Sequence, residues 1–276
     1  MSGVSALSAS NEHLLSDLDT WLFILAHPGH ELRAYHAMER VQPTVAVLTD
    51  GSGSTSTPRL AESRALIAHT GAEAAPTFGP LTDREAYAAL LAGDAGPFLD
   101  PLDRLVDFVV TQDIDAVVID AAEGYNPVHD VCHWMGCAAV LRARHRGAQV
   151  RLFELDLIAH PDSPGTGIRL QLNDAAFTRK LDAISRYDAL RAEADAAFER
   201  YGRDAFRIEL LRDVVIGRPR PATWVPYYEE VGNVRVSEGR YTSVLRYGAH
   251  VRPVIDALLE SAQPAPYASA LGTLHQ

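Results

Sequence analysis

His27, His30 and Glu31 fall together in the stretch Trp21-Leu22-Phe23-Ile24-Leu25-Ala26-His27-Pro28-Gly29-His30-Glu31. Neutral imidazole nitrogen is a standard zinc donor, and a catalytic zinc usually takes three protein ligands and keeps one position open. Two histidines at this spacing could reach one ion. A third donor has to come from elsewhere, and His129 offers it. It stands in Asn126-Pro127-Val128-His129, just after a short apolar run that ends in Asp120. Three imidazoles with a carboxylate beside them are a donor set for metal-assisted chemistry.

Two strands and a helix must position these groups. Residues 21–26 are a continuous apolar run, the pattern of a strand buried on both faces. Pro28 and Gly29 end it and turn the chain. Residues 116–119 (Ala-Val-Val-Ile) form a second such strand. Asn126 is a favoured N-cap and Pro127 a favoured first helical residue, so a helix is expected over 128–145. Strand ends of a parallel sheet face one way, and ligands of open α/β sheets bind there. His133, one turn beyond His129, reads as a helix histidine packed beside Trp134. His160, in Ala159-His160-Pro161-Asp162, reads as a surface turn. His36, His69 and His145 read as surface or helix-end residues. Glu123 and Asp130 are weaker carboxylate candidates than Asp120, because loop and first-turn acids are commonly solvated or favoured by the helix dipole.

Two further buried strands are expected, at 44–49 and 150–155. Helices are expected at about 59–70, 84–92, 97–111, 177–201 and 250–261, with another helical piece at 204–216. Residues 76–83 read as a turn-rich connection. The Ser/Thr/Gly-rich loop 52–59 is either flexible or a substrate lid. Residues 1–18 read as a polar leader, and the tail after Ser261 as loose. Alternating strands and helices imply an α/β fold with a Rossmann-like, mainly parallel, doubly wound sheet.

The chain of 276 residues can bury a sizeable core. Its formal net charge of -11 argues against nucleic acid or an anionic membrane as the main partner. Cys132 and Cys137 are expected on different sides of a helix and unpaired, which fits a reducing cytoplasm. No signal peptide and no membrane-spanning run is expected.

With these pieces in order, the chain resembles the PIG-L/LmbE family of zinc-dependent N-acetylglucosaminyl deacetylases. That family has a strand ending in A-H-P-D-D-E, a second strand ending in T-D-G, an R-x-x-E helix and a late H-P-D-H. Here the counterparts are Ala26 to Glu31, Thr49-Asp50-Gly51, Arg59-Leu60-Ala61-Glu62 and Asn126 to His129. The resemblance covers roughly residues 20–155. It implies one LmbE-like domain over 1–276, with a core at about 20–160 and a C-terminal extension beyond it.

The resemblance also implies zinc on His27, His30 and His129. His30 replaces an aspartate of the family, so two His and one Asp become three His. Imidazole remains a good zinc donor. Gly29 stands where the family has its general base. Asn126 stands where the family has a histidine that assists the leaving group or oxyanion. Asp120, Glu31 or His250 would have to take those jobs, with Asp120 the first candidate base and Glu31 the second. Asp50, Arg59, Asn126 and His250 are the expected substrate contacts.

The function these readings imply is a cytoplasmic zinc hydrolase that removes an acyl group from an amino sugar or related amide. The expected partner is a small-molecule substrate, an amino sugar or a conjugate of one, and a homo-oligomer is compatible with the sequence. The altered Gly29 and Asn126 keep two alternatives open. One is a repurposed metal-dependent enzyme running other chemistry, such as elimination, on a biosynthetic intermediate. The other is a non-catalytic metal-binding relative.

Overall fold

Trp21–Leu25 forms β1, and all five of its residues are buried. Side chains of a strand alternate between faces. Trp21, Phe23 and Leu25 therefore pack into one core with Met38 and Phe153, and Leu22 and Ile24 into another with Phe98 and Met135. A strand apolar on both faces is stable only between two helical layers. Each such side chain taken from water contributes roughly 1.5–3 kcal/mol.

The computed structural model describes residues 13–53 and 56–263. The expected leader and tail fall largely outside the described residues, as do positions 54 and 55 of the Ser/Thr/Gly-rich loop.

After a short helix α1 (His13–Ser16) and β1, a 3-10 turn over His30–Ala34 leads into α2 (Tyr35–Val41). Then follow β2 (Thr44–Thr49), α3 (Leu60–His69), β3 (Glu73–Leu81), α4 (Asp83–Ala92), α5 (Gly96–Thr111) and β4 (Ala116–Asp120). The chain continues through α6 (Pro127–His145), β5 (Arg151–Leu155), β6 (Gly167–Gln171), α7 (Asp174–Arg186), α8 (Arg191–Tyr201) and β7 (Ile208–Asp213). It closes with α9 (Tyr227–Ser237) and α10 (Arg252–Ser261), the latter entered through a π-helical turn at Tyr247–Val251. Among the described residues, no helix is long and apolar enough to cross a membrane.

One seven-stranded sheet runs in the order β3-β2-β1-β4-β5-β7-β6. The first five strands pair in parallel, and β7 and β6 are antiparallel. The fold is thus the α/β, mainly parallel, Rossmann-like sheet the sequence predicts, and the four strands expected to be neighbours are consecutive in it. The order of connections reverses between β1 and β4, and the crevice at such a switch point is where open α/β sheets bind ligands.

Three segments depart from the sequence reading. Residues 73–81 are a strand rather than a connection. Pro76, Gly79 and Pro80 interrupt its ladder, which is tolerated because β3 is an edge strand, and its register against β2 shifts twice. Residues 177–201 are not one helix. α7 stops at Arg186, and Asp188–Leu190 is a 3-10 turn before α8. Residues 208–213 are the strand β7, not a helix, so the C-terminal extension completes the sheet rather than standing apart from it.

A buried ion pair ties that extension to the site. Lys180 Nζ lies 2.9 Å from Glu209 Oε1, and both side chains are sealed from solvent. Glu209 also accepts from the backbone N–H of His36 and Ala37 at the start of α2.

Candidate active site

The local sequence builds the site at the ends of β1 and β4. Gly29, at φ +103, turns the chain so that His27 and His30 stay on the same side of it. Asn126 Oδ1 accepts from Val128 N–H at 2.8 Å and caps α6, placing His129 in its first turn. Gly136 lets α6 approach β4 closely, since a Cβ there would lie 2.4 Å from Ile119 Cγ2.

The three histidines meet. Ring centroids are 5.4 Å apart for His27 and His30, 5.1 Å for His27 and His129, and 4.6 Å for His30 and His129. Each of the first two is held from behind. His27 Nδ1 is 2.7 Å from Thr49 Oγ1 and 3.2 Å from Asp83 Oδ1. His30 Nδ1 is 2.7 Å from Asp120 Oδ2. Asp120 Oδ2 also accepts from the Ala26 backbone N–H at 2.7 Å. Both contacts are made by Oδ2, while Asp120 Oδ1 is buried without a hydrogen-bond partner in the protein.

Burial dominates the electrostatics. It holds His30 and His129 well below the usual histidine range, and the neighbouring imidazoles add to the effect. It pushes Asp120 up to about 7, against the pull of the Ala26 N–H and His27. Glu31 is also pushed up to about 7 by burial. Its oxygens are taken by Gly29 N–H, at 2.5 Å, and by the Ser63 hydroxyl, so it braces the turn. Asp83 behaves in the opposite way. Burial raises it, but His27, Thr49 and the Gly53 N–H outweigh that and hold it well below the ordinary carboxylate range.

The residues fit a metal on two counts. His27 Nε2 and His129 Nδ1 are buried without a hydrogen-bond partner in the protein. Leaving such atoms unmet costs about 1–3 kcal/mol each. A tetrahedral ion with nitrogen donors at 2.0–2.1 Å separates imidazole centroids by about 5 Å, close to the spacing found. Among the described residues, no group of three or more His, Cys, Asp or Glu side chains could hold a metal ion as the side chains stand. Ring position is fixed by backbone and packing, whereas ring orientation turns on small torsions, so the spacing is the more decisive observation. His27, His30 and His129 are the residues that could hold the ion.

The other sequence candidates divide. Arg59 lies within the charge environment of His30 and Glu31. Asp50 Oδ1 holds its own turn, accepting from Ser52 and from Asp83 N–H. Asn126 serves as the helix cap. His250 turns to its own segment, where Nδ1 accepts from Arg246 N–H at 2.8 Å, and it is not brought to the cluster. Glu123 clamps the backbone of residues 157–159. His133 meets the Asp120 carbonyl at 3.0 Å and the Trp134 ring edge-on.

Two residues of the site were not singled out from sequence. Asp83 is the first residue of α4, behind a Thr82/Glu85 capping box. Tyr87, one turn on, places its hydroxyl 3.5 Å from Asn126 Oδ1. Desolvation and the nearby Asp83 carboxylate push its phenol up to about 12. The signal for Asp83 was its place after a strand, the same logic that finds Asp50 and Asp120, but β3 itself was hidden.

Two cavities border sequence neighbours of the cluster, though neither is lined by His27, His30 or His129 themselves. One, of about 530 Å³, opens beside Tyr87 and Asn126. The other, of about 350 Å³, is bordered by Gly29, Leu32, Leu157, Ile158 and Leu190. Tyr125 lines both.

No family model matches the chain, and no curated protein matches it. Among solved structures, it is similar to a deacetylase triple mutant of the teicoplanin biosynthetic pathway, with 16% identity over 66% of this chain and 88% of that one, at a TM-score of 0.45. It is likewise similar to the A40926 pseudoaglycone deacetylase, with 18% identity over 67% of this chain and 88% of that one, at a TM-score of 0.47.

Proposed function

We propose that this chain is a zinc-dependent hydrolase that removes an acyl group from an amino sugar or a related small-molecule amide. The observation that carries this reading is the meeting of His27, His30 and His129 at 4.6–5.4 Å between ring centroids, at the sheet's switch point. The motif order shared with the PIG-L/LmbE family supports it.

When bound, a zinc ion supplies a Lewis acid for the amide carbonyl and a water acidic enough to ionise near neutral pH. The protein's own groups do the rest. Asp120 fixes the tautomer and direction of His30, and Thr49 with Asp83 does so for His27, the usual role of partners behind metal-binding imidazoles. Asp83 stays ionised across the working range, with Oδ1 3.2 Å from His27 Nδ1 and Oδ2 accepting from Gly53 N–H. As an ionised carboxylate beside His27, it would accept a hydrogen bond from an attacking water, the role expected of Asp120 from its strand-end position. Tyr87 stays protonated and can donate to the developing oxyanion or the departing amine. It stands beside Asn126, where the family has a histidine.

The test is metal content of protein purified without added metal, followed by amine release from a panel of N-acetyl amino sugars and their conjugates. About one zinc per chain with amine release is the expected result. A specific observation favours a second reading, that of a repurposed metal-dependent enzyme. Leu190 fills the space over Gly29 where the family's base would project. Full zinc with transformation of a related metabolite, and no amine from any substrate, would establish that reading instead.

A further inference from the structure

The cavity beside Asn126 is built largely by the C-terminal extension, which no motif covered. Its floor is the head of α6, and its far wall is α9 with residues 240–245. Three features restrict what it can hold. The first is an aromatic platform. Tyr125 and Tyr227 stack at 5.2 Å with their planes 9° apart, and each is about half exposed. A stacked pair with open faces suits the flat side of a ring.

The second feature is charge. The chain carries -11 overall, yet the residues lining this cavity include Arg235 and Arg240 and no acid. Arg235 donates to the Tyr241 hydroxyl at 2.5 Å and lies 5.2 Å over its ring, and no described carboxylate pairs with it. Arg240 meets Glu238 at 3.1 Å, with both side chains about half exposed or more. Such a surface pair is weak and easily exchanged for a ligand. A guanidinium presents a planar fork that matches carboxylate and phosphate oxygens.

The third feature is continuity with the reacting groups. Tyr87 lines the cavity, reaches Asn126, and is influenced by both Asp83 and Tyr241. One end of the cavity is therefore at Asn126, the cap of the helix whose first turn carries His129, and the other at the arginines.

We propose that this cavity is the subsite for the amine-bearing part of the substrate, and that this part is a ring carrying a carboxylate or phosphate. The ring lies against Tyr125 and Tyr227, and the anion is held by Arg235 with Arg240. The proposal rests on the hydrolase reading for what happens next, but the subsite can be tested by binding alone.

The experiment is calorimetric binding of three amines to the full, zinc-loaded chain: glucosamine, glucosamine 6-phosphate and muramic acid. A charge-assisted contact of this kind gives about tenfold to a hundredfold in affinity. At least one anionic amine should bind that much more tightly than glucosamine, and which of the two does so separates phosphate from carboxylate. Arg235→Gln should remove the preference, Arg235→Lys should restore part of it, and Tyr227→Ala should weaken all three. Equal affinity for the three amines in the wild type, or a preference that survives Arg235→Gln, would overturn the subsite. Amine release from the N-acetyl forms is followed separately. Anion preference without release keeps the subsite and removes the hydrolase reading, and release without preference does the reverse.

Discussion

Leu190 sits on Gly29: a Cβ built at position 29 would lie 2.0 Å from Leu190 Cδ1 and 3.5 Å from Tyr187 Cζ. The backbone there is left-handed, at φ +103. Position 29 therefore has no room for a side chain, and the break between α7 and α8 supplies the group that fills the space. Gly29→Asp should not restore a family-like base. It should destabilise the protein by about 1–3 kcal/mol from backbone strain alone, with the clash in addition. Urea unfolding checks this, and Leu190→Ala in the same chain should recover the clash component only. A Gly29→Asp variant as stable as wild type would show that the turn can relax.

Asp120 and His30 are joined at 2.7 Å. If Asp120 orients the imidazole, Asp120→Ala should weaken metal binding by about 10–100-fold, the usual effect of losing such a partner. Competition with a chelator of known affinity measures it. Zinc affinity unchanged together with a large fall in rate would instead make Asp120 the proton acceptor, as its position at a strand end suggests from sequence.

Much of the site was legible because strand ends in a parallel sheet announce themselves. The runs 21–26 and 116–119 are apolar without interruption, and each stops at a residue that can do chemistry. Asp83 and Tyr87 were not legible for the converse reason. Pro76, Gly79 and Pro80 erase the apolar signature of β3, and only pairing with β2 makes it a strand. Residues 208–213, Ile-Glu-Leu-Leu-Arg-Asp, carry good helix formers, and their fate is decided by two partner strands rather than by propensity. The break at Tyr187 has neither Gly nor Pro. It is held by tertiary contact, with Tyr187 packed among Leu32, Tyr35 and Leu66. α9 has little amphipathic pattern, so the wall of the larger cavity could not be read locally.

The buried pair of Lys180 and Glu209 makes a prediction about stability rather than chemistry. Glu209→Ala would leave the Lys180 ammonium sealed without its partner and uncap the start of α2. The expected loss is about 3–5 kcal/mol, typical for breaking one side of a buried pair. Lys180→Met with Glu209→Gln should cost less than either change alone if desolvation is the main term. Denaturant midpoints of the three variants decide it.

His133 gives a pH prediction whose sign is fixed by burial, which lowers it from the ordinary histidine value of about 6.5 to about 4. The folded chain therefore holds this ring neutral where the unfolded chain protonates it. Its contribution is fully present above pH 6.5 and is lost as pH falls toward 4. Between pH 7 and pH 5 the loss is about 2 kcal/mol. His133→Gln should flatten the pH dependence of unfolding by about that amount over this interval. Parallel slopes for the two proteins would show that His133 is free to charge in the folded state.

Tyr87 is the residue on which the proposed reaction depends most directly. Its hydroxyl has only a long contact, 3.5 Å, to Asn126 Oδ1, so Tyr87→Phe should leave the fold intact. A donor aimed at charge that develops only during reaction is expressed in kcat rather than in KM. Losing one such donor typically costs about 10²–10³-fold in kcat. Tyr87→Phe should therefore keep wild-type zinc content and a similar KM while kcat falls by that order. A fall confined to KM would move Tyr87 from the reacting groups to the cavity wall. No change in either constant would pass the donor role to another group at the site, and the undirected hydroxyl of Tyr228, buried in the same cavity wall, would be the next to replace by Phe.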